Sequence, residues 1–459
     1  MGSFITNTPT DKAATTGLLS LICIAFIAWL PFSTVAHVGL LGNFDSNLSL
    51  YPFAPLLGIF MINGLFIRML LSGGAEGDIL RALFVMFVVV AVFTAINGFW
   101  FKSLGYFAYG LDPLNKSLTT AIVPLLIAAL YILTAGIARY LEPSKLELAL
   151  MLGFWLTVGY TALQFISHLV PNPIYGLIWP WVEGAKDRGG VPYFSIYQRL
   201  NGPTSEPAEL AKTLLILYLP WIIFPFDGNV RWGKFAIVGV LTAASQAITG
   251  FIILLFVFGI LFLSRRINSL LKFSVAYLAL TAIVLLAVTD GEILGGLSDR
   301  LSSLGDDASA NVRAIYNLTA MQVAWDYPFF GIGWSNEIFI FPQRLAEAPY
   351  LWEIRQNIED GVALTAKSLL LRLLMYTGIP LFVITLAFIA IKLTSSRLSG
   401  SQLDRRRTRL TFMLLFVGGL VDGGIVTSFY IWAATALPLG YQMRPDCGHR
   451  NAPSIQPSR

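Results

Sequence analysis

Apolar runs of membrane-spanning length follow one another along most of the chain, separated by polar breaks. They cover residues 17–38, 51–71, 79–101, 118–137, 146–170 and 208–226. The stretch 235–263 is too long for one straight span and too short for two. Ser245, Gln246, Thr249 and Gly250 interrupt its middle, so it reads as two short helices joined by a tight bend. Further runs lie at 273–288 and 368–391. The stretch 410–441 repeats the awkward length, with a break at Asp422-Gly423-Gly424. The pattern predicts an all-α polytopic membrane protein of about twelve transmembrane helices. It forms one integral membrane unit over 1–459, with no second, soluble domain. The first run is too long for a removable signal peptide and lacks a small-residue cleavage site.

Two polar intervals, 171–207 and 289–367, are far longer than the rest. Within the second, residues 310–326 have helical periodicity, with Ile315, Leu318, Met321 or Gln322, and Trp325 on one stripe. Arg313 and Asn317, four apart, fall on another face. Pro328 stops the helix, and Gly331-Ile332-Gly333 makes a tight turn after it. A short amphipathic helix on or near the membrane is expected, its arginine turned away from the apolar stripe. A solvated interfacial charge is the plainer account of Arg313.

Charge then sets the orientation. Only 12% of residues are charged, about half the share of a soluble domain. The short loops that hold Arg68 and Arg81, Arg139 and Lys145, Arg231 and Lys234, Arg265, Arg266 and Lys272, and Arg397 to Arg409 alternate along the chain. Retention of such clusters inside puts both termini and the tail 443–459 in the cytoplasm, and the two long loops outside. The long loops still carry Lys186, Arg188, Arg199, Arg300, Arg313, Arg344 and Arg355, which raises the question of what anion they meet. The net charge of +5 needs no nucleic acid to explain it. Cys23 and Cys447 make no disulfide framework. His37, His168 and His449 are scattered, and Asp306-Asp307 reads as a solvated turn, so no metal site is expected. No P-loop is present and no cofactor is implied.

Beside the long loop 289–367, a second motif with candidate chemistry lies in residues 197–211, YQRLNGPTSEPAELA. Glu206-Pro207 suits a helix start, with a carboxylate at the N-terminus and proline in the first turn. Glu206 reads either as a cap or as a base at the mouth of a membrane cavity, able to deprotonate an acceptor hydroxyl. Here the chain resembles the superfamily of O-antigen polymerases and O-antigen ligases. Arg199, Gly202, Glu206, Pro207 and Ala211 are similar to its R-x-x-G-x-x-x-E-P-x-x-x-A pattern. Arg313 ahead of Pro328-Phe329-Phe330-Gly331-Ile332-Gly333 is similar to its R…P-x-x-G-x-G segment. Lys367-Ser368 through Gly378-Ile379 resembles its H-N…G-I segment. Two positions depart from the pattern. Lys367 stands where ligases carry histidine, which favours a polymerase, and Ser245-Gln246 stands where many members have Ser-Arg. Arg372, inside a span, is the candidate to replace that lost cation.

The resemblance implies a metal-independent glycosyltransferase on the periplasmic face of the bacterial inner membrane. Its donor and acceptor are polyprenyl-diphosphate-linked oligosaccharides that reach the site through membrane lipid, and a chain-length regulator protein is a further partner class. Arg199, Arg313 and Glu206 are then the catalytic candidates, and Arg300, Arg372, Lys367, Gln246 and Trp334 the substrate-binding ones. Forked guanidinium donors suit a diphosphate leaving group. Trp334 belongs to a set of loop aromatics that offer flat faces to sugar rings, or form an interfacial belt. Three alternatives stay open: a ligase moving glycan to lipid A core or protein, a lipid-sugar glycosyltransferase using Asp45, and a polysaccharide transporter or lipid flippase. Against the transporter stand the lack of an internal repeat and the long loop lying far from mid-chain.

Overall fold

The computed structural model describes residues 9–34, 37–38, 42–43, 54–62, 64–169, 200–204, 206–263, 308–345, 352–359, 364–395, 398–422 and 428–444. The span expected at 273–288, most of the loop 171–207, residues 289–307 and the tail beyond residue 444 lie outside them.

The described chain is helical apart from one short antiparallel pairing, His37–Val38 with Gly42–Asn43. Helices α1 (Pro9–Trp29), α2 (Ala54–Ile62) and α3 (Leu65–Leu70) lead into the long α4 (Gly74–Ser103). Helices α5 (Pro113–Thr120), α6 (Ile122–Tyr140) and α7 (Pro143–Leu169) follow. Asp112 starts α5 by accepting the Asn115 N–H at 2.9 Å, with Pro113 in the first turn. Next come α8 (Pro207–Lys212), a π-helical turn (Thr213–Tyr218) and α9 (Leu219–Ile223). The widened turn is a response to Pro220, which has no N–H to donate one turn back and whose ring crowds that carbonyl. Helices α10 (Trp232–Ala244) and α11 (Ile248–Leu263) flank the expected bend, where Gln246 takes a left-handed φ of 50°. After them stand α12 (Ala308–Asp326), α13 (Phe341–Leu345), α14 (Trp352–Glu359), α15 (Leu369–Thr377), α16 (Ile379–Thr394), α17 (Gln402–Val421) and α18 (Phe429–Gln442).

Three segments, Gly74–Ser103, Pro113–Tyr140 and Pro143–Ile166, are long and apolar enough to cross a membrane, and four shorter apolar helices accompany them. The run at 368–391, read as one span, is broken at Gly378 into α15 and α16. Helix α18 is buried along its whole length and forms the axis of the bundle. It lies along α6, and the two backbones approach closely at Gly440, where a Cβ would meet the Ala135 carbonyl oxygen at 2.0 Å.

The basic short loops meet at one end. Arg81 donates to the carbonyls of Leu70 and Ser72 at 2.8 and 2.7 Å, and Arg139 to Ser72 Oγ at 2.7 Å. Arg409 reaches the Leu393 carbonyl at 2.7 Å, and Arg444 the Arg139 carbonyl at 3.2 Å. Arg407 is the buried member. Its guanidinium lies 4.3 Å from the Trp221 ring and 4.8 Å from Phe226, bonds the Phe224 carbonyl at 2.8 Å and pairs with Asp404 at 3.0 Å. Replacing Arg407 by Met leaves the buried Asp404 charge without that partner. The variant is expected to lose about 3 kcal/mol, read as a lower unfolding temperature in lipid nanodiscs.

Candidate functional site

The segment before α8 is held by a buried polar knot. Gln164 of α7 accepts the Gly202 N–H at 2.9 Å and donates to Asn201 Oδ1. Asn201 Nδ2 donates to the Thr204 carbonyl, and Thr204 Oγ1 returns a bond to the Asn201 carbonyl, both at 2.7 Å. These bonds deliver Glu206 in extended conformation (φ −144°, ψ 154°) to the cap position of α8. Its carbonyl accepts the Glu209 and Leu210 N–H groups at 3.0 and 3.2 Å, but its side chain makes no capping bond. The carboxyl is exposed among buried neighbours and has no hydrogen bond or ion pair among the described residues. Protein packed around the partly open carboxyl limits its hydration and pushes it above the usual carboxylate range. The Glu209 charge adds to the rise, Lys212 opposes it, Asp422 adds and Lys367 opposes. Of the two readings of Glu206, the side-chain cap is therefore not realised.

Beneath Glu206 lies a network of charge. Lys212 is wholly buried, pairs with Glu209, and reaches Asp422 Oδ2 at 2.9 Å. Glu209 Oε2 accepts from Ser428 Oγ at 3.0 Å and from the Tyr430 hydroxyl. The Asp422 carbonyl takes the Leu369 N–H at 3.1 Å, and Ser368 Oγ donates to the Gly419 carbonyl at 3.1 Å. The starts of α8, α15 and α18 and the end of α17 are thus tied together. Local pattern marks Asp422 only as a break in an apolar run and gives Glu209 and Lys212 no role. The signal was present, since a lysine and a glutamate three apart inside an apolar run are costly unless they have a task.

The turn after α12 enters the bundle. Ile332 N donates to the Met375 carbonyl at 2.8 Å, and Ile379 N to the Pro328 carbonyl at 2.7 Å. Trp334 N donates to Thr94 Oγ1 at 2.6 Å, and Asn336 Oδ1 accepts from Ser117 Oγ at 2.7 Å. Both glycines of the turn have positive φ, 61° at Gly331 and 76° at Gly333. A Cβ would meet the Met375 carbonyl oxygen at 2.4 Å from Gly331, and Thr94 Cα at 2.4 Å from Gly333. Trp334 is 4% exposed and packs on Tyr376 with centroids 5.2 Å apart, so it wedges the turn into the bundle and offers no open ring face to a sugar.

Of the remaining candidates, Lys367 is the one whose charge acts on Glu206. Its N–H donates to Asn317 Oδ1 on α12 at 2.8 Å, and its ammonium lies 5.4 Å from the Tyr316 ring. Arg372 Nε donates to Thr365 Oγ1 at 2.6 Å. Gln246 is buried in the α10–α11 bend, next to the Leu200 N–H bonded to the Ala244 carbonyl at 3.3 Å. Arg313 is exposed on α12, one turn before Asn317, and makes no ion pair among the described residues. The stripe of Leu318, Met321 and Trp325 points away from the bundle, as does Phe329, while Phe330 packs edge-on against Phe93 of α4 with centroids 5.2 Å apart and Val312, Tyr316, Ala320 and Val323 pack inward. Arg199, Arg300 and Asp306-Asp307 lie outside the described residues.

An apolar groove of about 800 Å³ runs beside the site. Leu369 and Leu373 of α15, Phe382 and Leu393 of α16, Phe412 and Leu420 of α17, Leu83 of α4 and Phe256 of α11 are among its lining residues. Leu369, one of these residues, also meets the charge network, its N–H donating to the Asp422 carbonyl. Met413, Phe416 and Leu420 are exposed along it, so it opens sideways from the bundle.

No family model matches the chain, and no curated protein or solved structure matches it.

Gly331→Ala and Gly333→Ala each add about 1–2 kcal/mol of backbone strain to a clash with backbone atoms. Each is expected to undock the turn, which protease cleavage between α12 and α15 detects as faster cutting than in the wild type.

Proposed function

We propose that the chain polymerises polyprenyl-diphosphate-linked oligosaccharide units on the outer face of a bacterial inner membrane, with both termini cytoplasmic. The observation that carries the reading is Glu206: an exposed carboxyl with raised proton affinity, unpaired among the described residues and under the influence of the Lys367 charge, at the head of the helix whose Lys212–Asp422 tie meets the groove-lining Leu369. A carboxyl so placed is suited to take a proton from a sugar hydroxyl near neutral pH. The groove, open to the bilayer, is suited to a polyprenyl tail whose head group lies at the polar end. Family resemblance supplies the substrate class.

In this reading a hydroxyl of the incoming unit attacks the anomeric carbon of the growing chain. The new carbon–oxygen bond forms as the bond from that carbon to the diphosphate oxygen breaks. The hydroxyl proton passes to Glu206, and polyprenyl diphosphate leaves with the bonding electrons. Lys367 and Arg313, with Arg372 behind them, offset the charge that develops on the leaving group. Arg199 and Arg300 remain candidates for the same task. The basic end described above faces the cytoplasm.

A lipid flippase is the second reading, favoured by one specific observation: a fully buried lysine beside a lateral groove also suits a carrier. A ligase is the third, with Lys367 in the place of histidine against it.

Protein reconstituted in lipid and given lipid-linked repeat units, with EDTA and without ATP, is expected to produce a ladder of glycan lengths. Arg313→Ala and Lys367→Ala should slow it by about 10²-fold or more, the scale of losing one transition-state donor. Glu206→Gln should abolish it. Transfer only to added lipid A core makes the chain a ligase, and units crossing the bilayer without a ladder make it a flippase. The pH dependence has a definite sign. Glu206 must be ionised to act as a base and holds its proton more tightly than an ordinary carboxyl. The rate should therefore fall as pH drops through a midpoint above the usual carboxylate range.

A further inference from the structure

Asn317 stands where α12 meets the segment that leads into α15, and the chemistry above gives it no task. Its side-chain oxygen accepts the Lys367 N–H at 2.8 Å. A backbone N–H can only donate, so this bond fixes which end of the amide faces residue 367. The Nδ2 group therefore points away from it, with two N–H donors that have no partner among the described residues. Its neighbours are donors too. Arg313 lies one turn earlier on the same face of α12, exposed and without an ion pair among the described residues. Tyr316, which borders both on the helix surface, has the Lys367 ammonium 5.4 Å from its ring. An amide N–H₂ and two cations are thus gathered on one ledge. Two residues after Lys367, Leu369 lines the apolar groove.

Resting on the polymerase reading, we propose that Asn317 is a substrate-binding residue whose amide N–H₂, beside Arg313 and Lys367, donates to a phosphoryl oxygen of the lipid-linked diphosphate. A ledge of donors selects a group that only accepts, and a phosphoryl group offers several such oxygens. The groove that begins two residues on takes an apolar tail, so ledge and groove together suit one molecule with an anionic head. The two ends of the amide then have separate duties. The oxygen holds residue 367 against α12, and the N–H₂ meets the ligand.

Asn317→Asp separates these duties. A carboxylate still accepts the Lys367 N–H, while the outward N–H₂ becomes an oxygen that repels phosphate and competes with it for Arg313. The change is isosteric at a half-buried position, so the fold is kept. The measurement is a titration of the full chain in lipid nanodiscs with farnesyl diphosphate, and with inorganic pyrophosphate as the tailless control. Affinity for farnesyl diphosphate should fall about tenfold or more in Asn317→Asp, the scale of a hydrogen bond to a charged group, with the unfolding temperature of the wild type. Combined with Arg313→Ala, the loss should be smaller than the product of the two single losses, because both side chains act on one phosphate. Wild-type affinity in Asn317→Asp overturns the proposal. If affinity falls only in Asn317→Ala, together with the unfolding temperature, Asn317 is a structural tie and nothing more. Pyrophosphate that binds as tightly as farnesyl diphosphate overturns the lipid as ligand. Binding does not depend on turnover. Affinity lost as expected in a protein that makes no glycan ladder contradicts the polymerase reading and leaves the phosphate site standing.

Discussion

An ammonium ion buried in an apolar bundle has to be neutralised where it stands, and Lys212 is such an ion. That requirement organises the end of the structure opposite the clustered arginines of the short loops. One counter-charge, Glu209, comes from the same helix and the other, Asp422, from a chain break more than two hundred residues away. Meeting both brings the end of α17 against the start of α8. Asp422 and Gly419 in turn bond the start of α15, and Ser428 and Tyr430 bring in the start of α18. Four interrupted helix ends are thereby collected at one place. The site follows from this constraint: with Glu209 drawn into the core, Glu206 at the head of the helix has no partner among the described residues.

The same economy recurs in the turn after α12. The Pro328–Trp334 turn has its backbone groups shared out to Met375, Ile379 and Thr94. Polar backbone cannot lie deep in an apolar bundle without such partners, so the segment is either fully docked or excluded. Docking sets where α12 sits, and through Asn317 and Lys367 it sets what α12 can present to Glu206.

Features that interrupt an apolar run were legible in the sequence. The bend at Gln246, the break at Asp422, the turn at Gly331-Gly333 and the extent of α12 all follow from local pattern. The break at Gly378 was not recognised, because a single glycine does not interrupt hydrophobicity. The direction of α12 was ambiguous for a deeper reason. In a membrane protein the most apolar face can point to lipid, and here Leu318, Met321 and Trp325 do point outward while Tyr316 and Ala320 pack inside. Trp334 shows the converse, an expected sugar platform that is consumed by packing on Tyr376. The charge network stayed hidden because its members are distant in the chain, and because a lone lysine in a hydrophobic run looks like an exception until its partners are seen.

The central claim is that the polar cluster at Glu206 and the groove beneath Leu369 serve one lipid diphosphate. Photo-crosslinking with a polyprenyl diphosphate bearing a diazirine in its tail tests it most directly. The account predicts label on α15, α16 and α17, competed by unlabelled polyprenyl diphosphate and weakened at least tenfold in Lys367→Ala. Label confined to other helices, or label indifferent to Lys367, contradicts it.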